Sequence, residues 1–227
     1  MIKAVLFDLD GTLLNRIASV EKFINDQYKR LSKELEMVDE SDYCARFIEL
    51  DNNGYRWKDE VYKQLVEEYQ LAITSDELLD DYLEFFQFHC IPYEGLRDLL
   101  LSLENQNYLM GLISNGRTDF QLKNLQALGI EGHFDSVHIS QEEGVKKPDP
   151  EIFRRALGRL NVQPDEAVYV GDHHENDIIG AKSAGLKTIW KKGDQVSEGE
   201  ESASVHSLLD ILLVLDEWKA QCKKMHS

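Results

Sequence analysis

The feature that most constrains the fold is the stretch Ala4–Leu13, close to the start of the 227-residue chain. Four apolar residues lead directly into Asp8-Leu9-Asp10-Gly11-Thr12. An apolar run that ends at a glycine is typical of a buried strand followed by a turn. Because side chains two apart in a strand point to the same side, Asp8 and Asp10 are predicted to aim at one position. Carboxylates held this close need a cation or a retained proton, unless they only cap the turn.

Composition and charge narrow the classes of function. The formal net charge of −17 argues against binding to a nucleic-acid polymer or to an anionic membrane, because both need a basic surface. At 227 residues the chain is long enough for one large domain or two smaller ones, and its 42% of apolar residues allow a sizeable core. No apolar run reaches membrane-spanning length, and the apolar start is too short for a signal peptide. Cys44, Cys90 and Cys222 are widely spaced, so we expect reduced thiols in a cytoplasmic protein. We also expect a monomer or a weak homodimer.

Residues 15–90 are predicted to form a small helical domain. Apolar residues recur at three- and four-residue steps from Ile17 to Leu31, which indicates an amphipathic helix. Three more helical patterns follow, over Asp39–Leu50, Tyr55–Tyr69 and Ser75–His89. The turn cluster Asp51-Asn52-Asn53-Gly54 separates two of them. The pattern therefore predicts a helical bundle inserted after the first strand.

The remainder of the chain alternates between strands and helices. The predicted strands are Tyr108–Ser114, Ser136–Ser140, Ala167–Val170 and Lys187–Trp190. The predicted helices are Leu96–Leu103, Phe120–Leu128, Pro150–Leu160, Asp177–Ala184 and Leu208–Trp218, with a surface loop over Val196–Ser204. Such alternation predicts an α/β fold with a mainly parallel sheet covered by helices on both faces. Residues 1–14 and 91–227 would form this core.

Polar side chains are predicted to gather at the carboxyl ends of these strands, where open parallel sheets bind their ligands. The first strand leads to Asp8 and Asp10, and the second to Ser114-Asn115-Gly116. Lys146 and Lys147 follow the third strand, and the segment Asp172–Asp177 follows the fourth. Carboxyl groups thus follow the first and fourth strands, a hydroxyl group the second and ammonium groups the third. Such groups at four strand ends are hard to explain as contributions to the stability of the fold, so a reactive site is predicted here.

The residue types of this predicted site indicate a reaction. Several carboxylates without a convincing set of histidine ligands favour a hard, oxygen-preferring cation such as Mg²⁺. A carboxylate can also act as a covalent nucleophile and carry a phosphoryl group. A lysine and a serine hydroxyl could then hold the oxygens of that group.

Four segments of the chain resemble the signature segments of the haloacid dehalogenase-like (HAD) hydrolase superfamily. They are Asp8-Leu9-Asp10-Gly11-Thr12-Leu13, Ile113-Ser114-Asn115-Gly116, Lys147-Pro148-Asp149-Pro150 and Gly171-Asp172-His173-His174-Glu175-Asn176-Asp177. They occur in the family's order, and the resemblance covers nearly the whole chain. It implies a Rossmann-like core, with residues 15–90 in the position of the family's mobile, all-helical cap.

The resemblance also implies catalytic roles. Asp8 would be the nucleophile that becomes aspartyl-phosphate, and Asp10 the general acid and base. Ser114 would hydrogen-bond the phosphoryl group, and Lys147 would neutralise it. Lys147 is preferred to Lys146 because it directly precedes proline, as in the family motif.

A Mg²⁺ site is implied at the same place. Asp8 and Asp172 would bind the ion with their carboxylates, Asp10 would bind it with its backbone carbonyl, and Asp177 would bind it directly or through water. Asp10 also separates reactions within the family, since relatives that remove halide lack an acid at this position. An alkoxide leaving group needs a proton, so hydrolysis of a phosphate ester is predicted.

Substrate contacts are predicted in both parts of the chain. In the core they are Ser114, Asn115, Gly116 and Lys147. In the helical domain the candidates are Asn53 and Arg46, near the sharpest turn, because related caps place a specificity loop between two helices. The alternative is that Trp57 belongs to a helix core and the arginines are surface charges.

The sequence thus predicts a Mg²⁺-dependent phosphatase for a small phosphorylated metabolite, such as a nucleoside monophosphate or a sugar phosphate. A phosphomutase that uses the same intermediate is one alternative. A catalytically silent binding or regulatory module is the other, although intact acids, serine and lysine at the motif positions count against it.

Overall fold

The computed structural model describes residues 1–192 and 199–225. The chain divides into two compact units. One comprises Met1–Asn15 and Pro92–Ser227, and we call it the sheet unit; the other is Arg16–Ile91, the helical unit. Among the described residues, no helix combines the length and the apolar character needed to cross a membrane.

Strands and helices alternate outside the helical unit. In chain order the elements are β1 (Ala4–Phe7), α1 (Arg16–Arg30), α2 (Glu40–Asp51), α3 (Lys58–Tyr69), α4 (Ser75–Phe85), α5 (Leu96–Asn105), β2 (Leu109–Ser114), α6 (Thr118–Leu128), β3 (Ser136–Ile139), α7 (Ser140–Glu143), α8 (Pro150–Leu160), β4 (Ala167–Gly171), α9 (Gly180–Ser183), β5 (Lys187–Lys191), β6 (Ala203–Val205) and α10 (Asp210–Met225). Short 3₁₀ turns lie at Asn52–Gly54, Phe86–His89, Glu131–His133 and Pro164–Glu166, and a π-helical turn lies at His174–Ile179.

The sheet has the strand order β3-β2-β1-β4-β5-β6, and every neighbouring pair is parallel. β1 lies in the middle, with Phe7 paired to Leu112 of β2 on one side and to Val170 of β4 on the other. All four residues of β1 are fully buried, which explains why this strand is a continuous apolar run. The strand order reverses between β1 and β4, where parallel sheets form their binding crevice. The predicted α/β fold is confirmed.

Two local predictions are correct only in part. The surface loop predicted over Val196–Ser204 is irregular at residues 199–202, but β6 begins at Ala203, which pairs with Ile189 of β5. Residues 196–198 lie outside the described part of the chain. β6 lies at the sheet edge, has three residues and buries only Val205. Such a strand leaves no apolar run that could be recognised in the sequence. The segment predicted as a helix over Asp177–Ala184 is helical, but it begins earlier, in the π-helical turn at His174–Ile179, and continues as α9.

The helical unit consists of α1–α4 and its connecting turns. Two of its helices, α2 and α4, begin at side-chain caps. Asp39 accepts a hydrogen bond from the Ser41 N–H, and Thr74 forms a reciprocal capping box with Glu77. α3 begins at Lys58 rather than at the predicted Tyr55, and Trp57 before it is 66% exposed. Trp57 is therefore not part of a helix core.

A fully satisfied amide lies at the centre of the helical unit. Gln27 of α1 is buried, and its Oε1 accepts hydrogen bonds from the hydroxyls of Tyr43 and Tyr62, both at 3.1 Å. Its Nε2 donates to the Leu78 carbonyl at 3.2 Å and to Asp81 Oδ2 at 2.8 Å. One side chain thus connects all four helices through polar contacts that would be costly to leave unpaired.

We expect the substitution Gln27→Leu to lower the free energy of unfolding by about 3 kcal/mol, because it leaves two buried tyrosine hydroxyls without an acceptor. Urea denaturation measures this change. The matched control adds Tyr43→Phe and Tyr62→Phe to the same variant, which removes the orphaned hydroxyls. Stability in this triple variant should return to within about 1 kcal/mol of wild type. An equally large loss in the triple variant would contradict the role of the hydrogen bonds.

Candidate active site

The first signature segment forms a tight turn at the end of β1. The backbone N–H of Asp8 still donates to the Val170 carbonyl at 2.9 Å, as a strand residue would. The N–H groups of Leu13 and Leu14 then both donate to the Leu9 carbonyl, at 3.0 and 2.9 Å. Strand alternation therefore ends at Asp8, and the turn determines where Asp10 lies. The alternation of side chains along a strand, which predicted that Asp8 and Asp10 point in the same direction, therefore does not extend to Asp10.

Gly11 in this turn lies directly against Asp172. Its φ is +88°, a conformation that residues with a side chain rarely adopt. A Cβ at this position would also be 2.2 Å from Asp172 Oδ2. Glycine is thus required both by the turn and by the close approach of a carboxylate from the end of β4.

Lys147 is the centre of the site's polar contacts. Its side chain is buried, and its ammonium group donates to Asp8 Oδ1 at 2.6 Å and to Asp177 Oδ1 at 2.7 Å. The third partner is the hydroxyl of Tyr169 at 2.8 Å, which in turn donates to the Ile113 carbonyl at 3.1 Å. The ammonium's three hydrogens therefore have three acceptors. Tyr169, inside the apolar strand β4, was not singled out by the sequence analysis.

Asn115 positions the segment that carries Lys147. Its Nδ2 donates to the Lys147 carbonyl at 3.0 Å, and its Oδ1 accepts from the Lys147 N–H at 2.9 Å. The next residue, Gly116, donates its N–H to Ser140 Oγ at 2.9 Å. Asn115 and Gly116 were predicted to bind substrate. In the structure the Asn115 amide and the Gly116 N–H join the end of β2 to neighbouring segments.

Ser114 and Asp10 are brought together by Gln121 of α6. Ser114 is the last residue of β2 and is 1% exposed. Gln121 Nε2 lies 2.9 Å from Ser114 Oγ and 2.6 Å from Asp10 Oδ2. Two predicted site residues thus share a partner that the sequence analysis missed.

Three acids form a compact carboxylate cluster. Asp8, Asp172 and Asp177 each offer a carboxylate oxygen, and these oxygens lie within 4.8 Å of one another. Asp172 Oδ1 accepts from the Thr12 hydroxyl at 3.2 Å, and Asp177 Oδ2 accepts from the His173 N–H at 3.0 Å. The cluster contains three of the four predicted metal-binding acids. The fourth, Asp10, was predicted to bind through its backbone carbonyl, and its carboxylate contacts Gln121.

The charges in this cluster are unbalanced. Burial raises the pKa of Asp8 well above its usual value, an effect that Lys147 opposes and that Asp177 increases. Burial also raises the pKa of Asp172 to about 7, and the charge of Asp177 adds to this shift. Burial alone would lower the pKa of Lys147, but the charges of Asp177 and Asp8 outweigh it and raise that pKa. Three carboxylates thus face two amines, Lys147 and Lys191, and a cation would relieve the remaining imbalance.

Lys191, at the end of β5, adds a second amine beside the turn. Its Nζ donates to the Gly11 carbonyl at 3.0 Å and lies over the ring of Tyr93. Burial lowers the pKa of this lysine to about 8, while the charge of Asp172 acts in the opposite direction. The sequence analysis did not single out Lys191, because a lysine at a strand end carries no distinguishing pattern.

The two candidate substrate residues of the helical unit have different surroundings. Arg46 forms ion pairs with Glu49 and Glu68, both at 2.7 Å. Asn53 is exposed and lies in the turn after α2, with φ of +55°. Asp51 anchors that turn by accepting a hydrogen bond from the Gly54 N–H at 3.0 Å. The role of Asn53 and Arg46 in substrate binding stays a prediction.

Comparison with known proteins identifies the family. A profile of haloacid dehalogenase-like hydrolases matches residues 5–191, which include every residue of the core site described above. The chain belongs to the haloacid dehalogenase-like hydrolase family.

Curated relatives and solved structures of the HAD family agree with this assignment. The chain is 32% identical to a glyceraldehyde 3-phosphate phosphatase of Pyrococcus furiosus, over all of this chain and 98% of the relative. A HAD phosphatase from Thermococcus onnurineus is 28% identical and superimposes with a TM-score of 0.69, over 94% of this chain and 98% of the other. A magnesium-bound HAD hydrolase from Bacillus subtilis has the same fold, with a TM-score of 0.79 at 23% identity over 94% and 98% of the two chains. The predicted enzyme class, a HAD-like hydrolase of phosphoric monoesters, is confirmed.

Proposed function

We propose that this protein is a Mg²⁺-dependent phosphatase that hydrolyses a small sugar phosphate through an aspartyl-phosphate on Asp8. The observation that carries the proposal is the buried ammonium of Lys147, which contacts Asp8 inside a cluster of three carboxylates. The substrate class is supported by the Pyrococcus furiosus relative, which is named for a phosphorylated triose.

The carboxylate cluster fits a magnesium ion. Its donors are all oxygen atoms, which Mg²⁺ prefers, and its carboxylates outnumber the neighbouring ammonium group. We propose that Asp8, Asp172 and Asp177 hold the ion, together with the backbone carbonyl of Asp10. When bound, the ion would neutralise charge on the phosphoryl oxygens.

In the first step a carboxylate oxygen of Asp8 attacks phosphorus, and the bond from phosphorus to the ester oxygen breaks. Lys147 keeps Asp8 oriented and lowers the cost of charge on the transferred group. The Ser114 hydroxyl hydrogen-bonds a phosphoryl oxygen. Asp10 in its acid form donates a proton to the departing alkoxide, which leaves as an alcohol.

In the second step water cleaves the acyl phosphate. Asp10, now a carboxylate, accepts a proton from this water as it attacks phosphorus. The bond between phosphorus and Asp8 breaks, inorganic phosphate leaves, and both acids return to their starting forms. One residue thus serves as acid and then as base, which requires that its carboxylate stay close to both oxygen positions.

Phosphate release from a panel of phosphorylated metabolites tests this proposal. We expect turnover with Mg²⁺, highest on a sugar phosphate, and a loss of at least about 100-fold in EDTA that added Mg²⁺ reverses. The panel includes glyceraldehyde 3-phosphate, hexose phosphates and nucleoside monophosphates. Release that continues unchanged in EDTA would refute metal dependence. Conversion to a phosphorylated isomer without release would favour a phosphomutase, and no reaction at all would favour a binding module.

A further inference from the structure

Gln121 contacts the proposed general acid directly although it belongs to none of the signature segments. It lies on α6, seven residues after Ser114, and is 2% exposed. Its Nε2 is 2.6 Å from Asp10 Oδ2, the shortest of its contacts and one that joins residues 111 apart in the chain. The same nitrogen lies 2.9 Å from Ser114 Oγ. A buried amide therefore spans the two groups assigned to proton transfer and phosphoryl binding.

The orientation of this amide is determined by its partners. Gln121 presents its NH₂ end to Asp10, and Oδ2 can accept this hydrogen bond in either protonation state of the carboxyl group. The opposite end, Oε1, then needs a donor, and Asn124 Nδ2 supplies one at 3.1 Å. Asn124 is itself fully buried, one helical turn further along α6. Asn124, Gln121 and Asp10 therefore form a directed chain of hydrogen bonds that ends at the carboxylate.

The surroundings leave Gln121 little freedom to move. A Cβ at Gly116 would lie 3.1 Å from both Cγ and Nε2 of Gln121, so the glycine provides the space that the side chain occupies. The backbone N–H of Gln121 donates to the Arg117 carbonyl at 3.0 Å, in the first turn of α6. The side chain thus reaches Asp10 from a rigid element rather than from a loop.

We propose that Gln121 is a positioning residue that holds the Asp10 carboxyl group in place for proton transfer to the leaving oxygen. This inference rests on the proposed phosphatase mechanism. Gln121 makes no bond to the substrate in it and acts through Asp10. A misplacement of a catalytic group by about 1 Å can cost on the order of 100-fold in rate. Since Asp10 delivers a proton, losing its contact with Gln121 should slow only reactions whose leaving group must be protonated.

The test compares two esters in the variant Gln121→Met, which keeps the length of the side chain but removes its donor. One ester is the best sugar phosphate of the panel, whose alkoxide needs a proton. The other is p-nitrophenyl phosphate, whose leaving group departs as a stable anion. We expect kcat/KM to fall by about 30- to 100-fold on the sugar phosphate and by less than about threefold on the aryl ester. The second-order constant is used because it excludes the later hydrolysis of the acyl phosphate.

A double variant separates positioning from a general structural effect. In the Asp10→Asn background, Gln121→Met should cause less than about a twofold further loss on the sugar phosphate, since its target is already gone. Asn124→Leu, which leaves Gln121 Oε1 unpaired, should reproduce the selective loss on the sugar phosphate at smaller size. Circular dichroism shows whether Gln121→Met folds. If it does not, Asn124→Leu serves as the test of the proposal.

The possible outcomes are distinct. Equal losses on both esters, or losses that multiply in the double variant, would overturn the positioning role. An unchanged Gln121→Met enzyme would overturn it as well, while leaving the phosphatase proposal intact. A wild-type protein that releases no phosphate from either ester would instead refute the proposed function, and the inference with it.

Discussion

Replacing Asp8 by asparagine is expected to abolish phosphate release, with a loss in kcat of at least about 10⁴-fold. The amide of asparagine has nearly the shape of the carboxylate but cannot serve as the attacking nucleophile. The variant also removes one of the three cluster acids, so any residual chemistry would have to proceed without the covalent intermediate.

The fold should tolerate this change. Burial raises the pKa of Asp8, which means that the charged form is costly at this position. Lys147 retains Asp177 and Tyr169 as hydrogen-bond acceptors when Asp8 becomes an amide. The unfolding temperature of Asp8→Asn should therefore stay close to that of the wild type, so a loss of turnover would reflect chemistry rather than unfolding.

Asp39→Asn is the matched control. Asp39 is exposed and caps α2, and asparagine caps helices equally well. The control should keep wild-type turnover on the preferred substrate. Phosphate release by Asp8→Asn at more than about 1% of the control's rate would exclude Asp8 as the nucleophile. Acid-quenched wild-type enzyme should, in addition, carry phosphate that hydroxylamine removes, as acyl phosphates do.

The substitution Lys147→Met is expected to lower both activity and stability. Removing the ammonium withdraws the positive charge beside the transferred phosphoryl group, and we expect kcat to fall by about 10²- to 10³-fold. It also leaves Asp8 and Asp177 buried without their cationic partner. Breaking a buried ion pair in this way costs about 3–5 kcal/mol in the free energy of unfolding. Urea denaturation in EDTA measures that loss without metal binding.

Two further variants test this explanation. Adding Asp177→Asn to Lys147→Met removes one of the orphaned charges, so stability should recover by at least about half of the loss while activity stays low. Lys146→Met is the matched control, because Lys146 is the adjacent lysine and is exposed. It should resemble the wild type in both assays. If Lys146→Met caused the larger loss of activity, the choice of Lys147 from the motif would be wrong.

The sheet and the helices could be predicted from local patterns. β1, β2 and β4 are buried strands, so each is an apolar run that ends where a polar residue begins. Pro150 marks the first residue of α8, and Gly129 with φ of +68° ends α6. Parallel pairing then explains why residues at separate strand ends meet at one edge of the sheet.

The partners within the site could not be predicted in the same way. Gln121 and Tyr169 lie inside a helix and a strand whose patterns they do not interrupt, and only packing across the sheet brings them to Asp10 and Lys147. Asn115 shows the same limit. Its side chain hydrogen-bonds the Lys147 backbone, and this pairing with a residue 32 positions away has no signal in the sequence. Its predicted contact with substrate stays a prediction.

The paired hydrogen bonds between Asn115 and the Lys147 backbone have a consequence for substrate range. They hold the Lys147 segment at a fixed position relative to the end of β2, because both ends of the Asn115 amide are hydrogen-bonded to Lys147. In the proposed mechanism Ser114 and Lys147 hold the phosphoryl group, and this link keeps together the two segments that carry them. Contacts of this kind depend on the phosphate and not on the alcohol attached to it. Changes elsewhere in the chain could therefore exchange one phosphate ester for another without rebuilding the chemistry.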